Sequence, residues 1–437
     1  MRLGGIQFDC CWSWHDSLCG TDFAAGFQER SRTKETRSLD LVSELTLETQ
    51  LDRLLSEDIA SAKLRERSTF DDLAFPFGDS LVLFGAGSIG RRTLAGLRKV
   101  GIVPLAFLDN NQALWNTSVD GLQVLSPKEG VARFGGKSAI VVTIWNDRHR
   151  FSQTRDQLTA LGCHKVVSFV SLWWKYPGIF PPHYFWDLPH RILENSGDVR
   201  RAFSLWADDS SRKRYVAQLR WRLLLDFDGL PNPDDHEQYF PQDVFSLSPA
   251  EVFVDCGAFD GDTLRCFLQV RNESFRSIIA LEPDPVNFRN LQDYVSSLAE
   301  GTRNKITVLN LAAGATKEKV RFDATGTLAS AIDAAGDLEV ECWPLDAVLD
   351  RLAPTYIKMD IEGAEHDALL GATKSIQNAR PVIAACVYHQ PDHLWSIPLL
   401  AASLCEDYRF FLRSYSPDGW DVVCYAVPAE RLLVPEE

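Results

Sequence analysis

The sequence is short of positive charge. Its 45 Lys and Arg stand against 60 Asp and Glu, a net charge of −15 over 437 residues, so no overall field draws it to phosphate backbones or anionic lipid. Nucleic acid is therefore not expected as a partner. No apolar run approaches the roughly 20 residues of a membrane helix. The opening MRLGGIQFDCCWSWHDSLCG carries acids and lacks a basic start followed by an apolar stretch, unlike a secretion signal. Cysteine is sparse at ten. Cys10, Cys11 and Cys19 fall in that opening and the rest are scattered without a repeated C-x-x-C, which signals neither a zinc site nor a disulfide framework. These absences lead to the expectation of a reduced, cytoplasmic enzyme.

What is present is ordinary globular composition, 45% hydrophobic and 24% charged, which excludes wholesale disorder. At roughly 150 residues per domain the length suggests two to three domains. Residues 1–69 read as a polar leader followed by one or two amphipathic helices, with leucines at helical spacing from about 39 to 67. Over 70–175 the order is strand, glycine turn, helix, strand (LVLF, GAGSIG, RRTLAGLRKVG, VPLAFLDNN), with further strands at AIVVTIW and KVVSFVSLW. This βαβ pattern predicts a small Rossmann-like, nucleotide-binding domain. Residues 176–248 are aromatic and helical and read as a connector; aromatics at such spacing mostly form core, with the lining of an acceptor pocket as the alternative. From 249 to 437 strands and helices alternate again and end in YRFFLRSYSPDGWDVVCYAV, two strands about a turn. The fold class expected is α/β, two tandem doubly wound sheets joined by a helical connector.

The two glycine turns differ. Gly85-x-Gly87-x-x-Gly90 follows a strand and opens a helix, and Asp109 lies 24 residues after Gly85. A diphosphate would rest on that helix N-terminus, at Ser88 and Ile89, with Asp109 accepting from ribose hydroxyls; the alternative is that the glycines only pack helix against sheet. Asp255-x-Gly257-x-x-x-Gly261 has a longer loop, and Glu282 closes the next strand 25 residues after Gly257. A ligand joining adenosine, sulfonium and an amino-acid tail has no phosphates to cradle. It needs glycine backbone beside the tail, an acid for the two ribose hydroxyls and negative groups near the positive sulfur. Asp255 and Glu282 meet those needs, which favours S-adenosylmethionine, with Ala258, Thr263 and Pro283 as neighbours in the same two loops.

VDCGAFDGDT, LEPDP, LNLAAG and the long run YIKMDIEGAEHDALLGA resemble the FkbM-type family of S-adenosylmethionine-dependent O-methyltransferases across about 250–427, and LFGAGSIGRRTL with LAFLDNN is similar to nucleotide-sugar-type Rossmann modules. The resemblance implies that Asp255, Gly257 and Gly261 form the cofactor loop, that Glu282 takes the ribose, that Ala312 and Ala313 lie near the adenine, and that Asp360 faces the transfer cleft. DIEG stands where nitrogen methyltransferases carry an N-P-P-Y-like tetrad, which points to an oxygen acceptor.

An alcohol is a poor nucleophile, so a base helps. His389, with a suitable unperturbed pKa, and Asp360 are the catalytic candidates. Glu362 and Glu365 follow in DIEGAE but also suit a helix start, and His366 falls further along that helix. Asp360, Glu362, Glu365 and His389 would converge on a metal only if the fold brought them together; no metal is expected. The resulting expectation is an O-methyltransferase acting on a hydroxyl of a sugar, glycan or other small alcohol, the acceptor possibly nucleotide-linked. The rivals are an NAD-dependent oxidoreductase or epimerase at the Gly85 turn and a non-catalytic S-adenosylmethionine-binding module.

Overall fold

The computed structural model describes residues 45–271, 274–323, 331–332, 336 and 338–433. Contacts divide the chain at Gln50: residues 1–50 form one unit, described only from 45, and 51–437 form the other. The expected polar leader, with Cys10, Cys11 and Cys19, lies outside the described residues. Helices Leu47–Leu54 and Ile59–Ala74 take up the leucine-rich stretch, the second capped by the Asp58 side chain accepting from Ser61 N.

The first sheet contains β1 (Leu81–Phe84), β2 (Phe107–Leu108), β3 (Ser118–Val119), β4 (Leu122–Leu125), β5 (Ala139–Val142) and β6 (Val166–Ser168), in the order β3-β4-β2-β1-β5-β6. All neighbours are parallel except β3 and β4. β1 and β5 are buried along their whole length, as a sheet covered on both faces requires. Two expectations need correction. KVVSFVSLW is strand only to Ser168, whose hydroxyl caps the helix Phe169–Lys175; a short apolar run does not by itself separate strand from buried helix. The β3–β4 hairpin was not expected, since four- and two-residue strands carry too little alternation to register.

Helices Pro189–Glu194, Ser196–Leu205 and Asp209–Leu224 form the connector. Trp206, Tyr215 and Trp221 are fully buried in it, so most of its aromatics are core. Its last helix lies along the edge of the second sheet, where Leu412 N donates to Ser211 Oγ at 2.8 Å.

The second sheet contains β7 (Val252–Cys256), β8 (Ser277–Leu281) and β9 (Ile306–Leu309). A small four-stranded sheet of β10 (Ala312–Ala313), β11 (Glu318–Asp323), β12 (Ala331–Ile332) and β13 (Leu338–Trp343) follows. Then come β14 (Tyr356–Met359), β15 (Val382–Cys386), β16 (Tyr408–Ser414) and β17 (Val422–Pro428), completing the order β16-β17-β15-β14-β7-β8-β9. Only β17 runs against its neighbours, as the hairpin sequence predicts. The strand order reverses at β7 and β14, so their carboxyl ends open a crevice at the position where open α/β sheets bind ligands.

The tip of the β16–β17 hairpin docks on the first sheet. Trp420 packs against Trp145, just past β5, with ring centroids 4.2 Å apart. Trp145 Nε1 donates to Asp418 O at 3.1 Å, and Phe151 N donates to Asp418 Oδ2 at 2.6 Å.

Candidate active site

A cavity of about 350 Å3 lies over the carboxyl ends of β7 and β14. Its first lobe is bordered by Gly257, Phe259, Asp262, Thr263, Glu282, Pro283, Asn287, Ala312 and Ala313. Gly257 has φ +78°, and a Cβ there would lie 1.9 Å from Asp360 O, so the turn admits no side chain and keeps the backbone open to the cavity. Gly261, at φ +92°, turns the chain into helix Asp262–Arg271.

Asp255 is fully buried in β7. Lys358 Nζ stands 3.1 Å from its Oδ1 and also donates to Gly257 O at 2.7 Å. Burial works against the Lys358 charge, but Asp255 and the neighbouring carboxylates outweigh it and hold the ammonium protonated. A lysine inside the otherwise apolar strand YIKM was the signal for this group, and reading the strand as uniformly buried passed over it. Glu282 accepts from Phe259 N and from Asp284 N, both at 2.8 Å. Burial pushes its carboxyl up to about 7.

The second lobe is bordered by Asp360, Glu362, Tyr239, Tyr388, Trp420 and Asp421, by Tyr184 from the connector and by Asn146 and Asp147 from the loop after β5. Asp360 Oδ2 accepts from Tyr239 Oη at 2.7 Å. Glu362, at φ +54°, accepts from Tyr184 Oη at 3.0 Å; burial pushes its carboxyl up to about 7, with Asp360 adding to the shift and His389 opposing it. A positive φ on a side-chain-bearing residue is strain of the kind that accumulates at functional sites. Tyr184 belongs to the aromatic connector for which acceptor-pocket lining was the alternative, whereas sequence reading missed Tyr239, Tyr388, Trp420, Asp421, Asn146 and Asp147, because periodicity identifies elements and these residues come mainly from the loops between them.

His389 follows β15 and is fully buried. It stands behind Asp360 and does not border the cavity. Its Nδ1 lies 2.6 Å from Glu365 Oε1, its Nε2 3.3 Å from Asp360 Oδ1 and 3.9 Å from Glu362 Oε1. Burial alone would remove its proton, but Glu365, Glu362 and Asp360 prevail and push its pKa up to about 10. Glu365, buried and also 3.3 Å from His393 Nδ1, is held well below the usual carboxylate range despite burial. Asp360, Glu365 and His389 place ligand-type atoms within 4.8 Å of one another. The 2.6 Å Glu365–His389 contact is that of a direct hydrogen bond, shorter than two ligands on one ion would stand at 2.0–2.2 Å each, so the cluster is an ion-pair network. His366 is half-buried on its helix.

At the first sheet, Gly85 has φ +108° and a Cβ on Gly90 would lie 1.9 Å from Gly85 O, whereas Gly87 faces open space. Asp109 accepts from Ala86 N and from Asn111 N, both at 2.8 Å. Ser88 and Ile89 open helix Ser88–Lys99. Neither the cavity above nor a second one of about 360 Å3, enclosed by Trp173, Phe180 and Trp186, is bordered by these residues.

Residues 255–416 match the Methyltransferase FkbM domain family. That stretch is similar to FkbM methyltransferase domains. Its cofactor is S-adenosylmethionine, and the first lobe fits one: it offers a side-chain-free turn and, in Glu282, an acid at the second strand end, while Asp255 lies behind the turn paired with Lys358 and does not border the cavity. Among solved structures, an FkbM methyltransferase from Methylobacillus flagellatus KT is similar over 87% of this chain and 98% of its own, at 23% identity and a TM-score of 0.68, which shows the shared fold. LepI in complex with S-adenosylmethionine covers 92% of this chain and 98% of its own at 11% identity and a TM-score of 0.28. The methyltransferase domain of bacterial CtHen1 covers 41% and 91% at 13% identity and a TM-score of 0.26. Both are too remote to bear on the site. No curated protein matches the sequence.

Proposed function

We propose that the protein transfers a methyl group from S-adenosylmethionine to a hydroxyl of a sugar, glycan or other small alcohol. The observation that carries this reading is the continuity of the two lobes: the cofactor-type walls at Gly257 and Glu282 run into a lobe whose nearest carboxylate, Asp360, ends the strand next to Asp255. S-adenosylmethionine supplies an electrophilic methyl carbon on a sulfonium.

The chain's own residues align, exclude water and take a proton. Asp255, Gly257, Ala258, Gly261 and Thr263 hold the cofactor's tail and loop side, Glu282 and Pro283 its ribose side, and Ala312 and Ala313 its adenine side. Asp360 accepts the acceptor's hydroxyl proton. Its side chain keeps 27% of its exposure, and Tyr239 and His389 fix its two oxygens. His389, named with Asp360 as a candidate base, acts here as a positioning residue, because its nitrogens face carboxylates and its side chain is closed off. Transfer then gains mostly from alignment and from the removal of water.

The nicotinamide reading needs a space at Gly85 and Asp109 that neither cavity supplies. The binding-module reading leaves the Asp360 network without a task. Incubation of the full chain with methyl-labelled S-adenosylmethionine and a panel of saccharides and alcohols tests the proposal. Label should appear on an oxygen, and Asp360→Asn should lower kcat by roughly 100-fold or more while cofactor binding persists. Label on nitrogen, or no transfer to any hydroxyl, would overturn it.

A further inference from the structure

We infer that Asp418 is a positioning residue for the second lobe: it does not border the cavity, yet it holds two stretches of chain that form the lobe's wall. The inference rests on the proposed methyl transfer only for what the lobe receives.

The helix Phe151–Ala160 begins without a cap of its own. Arg150, which precedes it, offers no side-chain acceptor, and no acid lies in the first turn, so its first N–H groups need partners from elsewhere. One comes from the far end of the chain. Asp418 Oδ2 accepts from Phe151 N at 2.6 Å in a buried setting, and a carboxylate there also suits the helix dipole. The backbone of the same residue makes a second bond, Asp418 O accepting from Trp145 Nε1 at 3.1 Å. Asp418 therefore grips the loop after β5 at both ends. Between Trp145 and Phe151 lie Asn146 and Asp147, which border the lobe. On the hairpin the link is equally direct, since Trp420 and Asp421, which also border the lobe, follow Asp418 by two and three residues.

Trp145 carries the constraint further. Its ring packs on Trp420 at 4.2 Å and on Tyr184 at 5.2 Å, centroid to centroid, and Tyr184 in turn donates to Glu362 at 3.0 Å. The connector fixes the other side of the tip: Gly419 lies so close to the buried Trp221 that a Cβ would fall 2.1 Å from its ring. Seated between two indoles, the tip is held to one packing arrangement. Asp418 is 8% exposed, so removing its carboxylate leaves a buried donor unmet, which is the costly direction for such a change. None of these contacts involves Gly257, Phe259 or Glu282, so the cofactor lobe should keep its form when the tip is released.

The test is hydrogen exchange, read by mass spectrometry on the full chain saturated with S-adenosylhomocysteine, for wild type, Asp418→Ala and Asp418→Asn. The Asn variant keeps a side-chain oxygen for Phe151 N, as a good capping residue does. In Asp418→Ala, residues 146–151 should exchange about tenfold faster or more. The circular dichroism couplet of the Trp145–Trp420 pair should collapse, while S-adenosylhomocysteine affinity stays within about twofold. Asp418→Asn should restore both exchange and couplet. On any saccharide that the wild type methylates, Asp418→Ala should raise KM about tenfold with kcat nearly unchanged. Unchanged exchange at 146–151, an equal rise at 257–261, no rescue by Asn, or a fall in kcat at constant KM would overturn the inference. Absence of methyl transfer by the wild type to any hydroxyl would overturn the preceding reading, and the exchange pattern would still decide this one.

Discussion

The chain builds a strand–glycine-turn–helix unit twice, and one of the two borders a cavity described above. In both, an acid at the end of the second strand reaches back to the turn: Asp109 accepts from Ala86 N, and Glu282 accepts from Phe259 N. In both, a glycine lies where a Cβ would strike a backbone oxygen at 1.9 Å. The local device is shared, and so cannot itself define a binding site. What differs is the surroundings. The strand order reverses beside both turns, at β1 and β5 as at β7 and β14, yet Gly257 borders a cavity whereas Gly85 and Asp109 border neither of the two described above.

The largest effect that would sharpen this contrast is at Gly257. Gly257→Ala forces a Cβ onto Asp360 O at a positive φ, and calorimetry should show cofactor affinity falling by about 100-fold or more. Gly87→Ala, with nothing within 4 Å, should change it by less than about twofold. Equal losses would break the comparison.

Next comes Glu365→Gln. Removing one member of a buried charge network costs about 3–5 kcal/mol, to be read by urea unfolding. The wild-type protein carries a related pH signature. Because the folded pKa of His389 lies near 10, above its ordinary 6.5, its stabilisation is complete below about 6.5 and is lost as pH rises through about 10; Glu365→Gln should flatten that decline in thermal melts.

A smaller effect belongs to Glu282. With its carboxyl near 7, it ionises as pH climbs from about 6 to 8 and becomes the better acceptor for ribose hydroxyls, so cofactor affinity should rise over that range. Glu282→Gln should abolish the rise. The smallest is Asp109→Asn, which weakens charge-assisted bonds inside the first turn. It should cost about 1 kcal/mol of stability and leave cofactor affinity unchanged; a loss of affinity would tie the two turns together.

The regular elements were legible because their causes are local. Buried strands such as VFVD and YIKM, the glycine turns and the SPDG hairpin announce themselves by apolar runs and breakers. Asp255, Gly257, Glu282 and Asp360 could be picked out because each sits at a strand end. Asp421 could not, since its approach depends on the hairpin tip reaching β5 across more than 270 residues of sequence, as the Trp145–Asp418 bond does. Strand β6 stopped early because Ser168 caps a helix, a choice that hydrophobicity alone does not make.

The docking of the hairpin tip on the first sheet bears on how such a protein diversifies. On the proposed reading, selectivity for the molecule being modified would be written partly in Asn146, Asp147 and Tyr184, which border the second lobe and lie upstream of residues 255–416. Altering that upstream portion would then redirect the enzyme to new targets while leaving its methyl donor untouched.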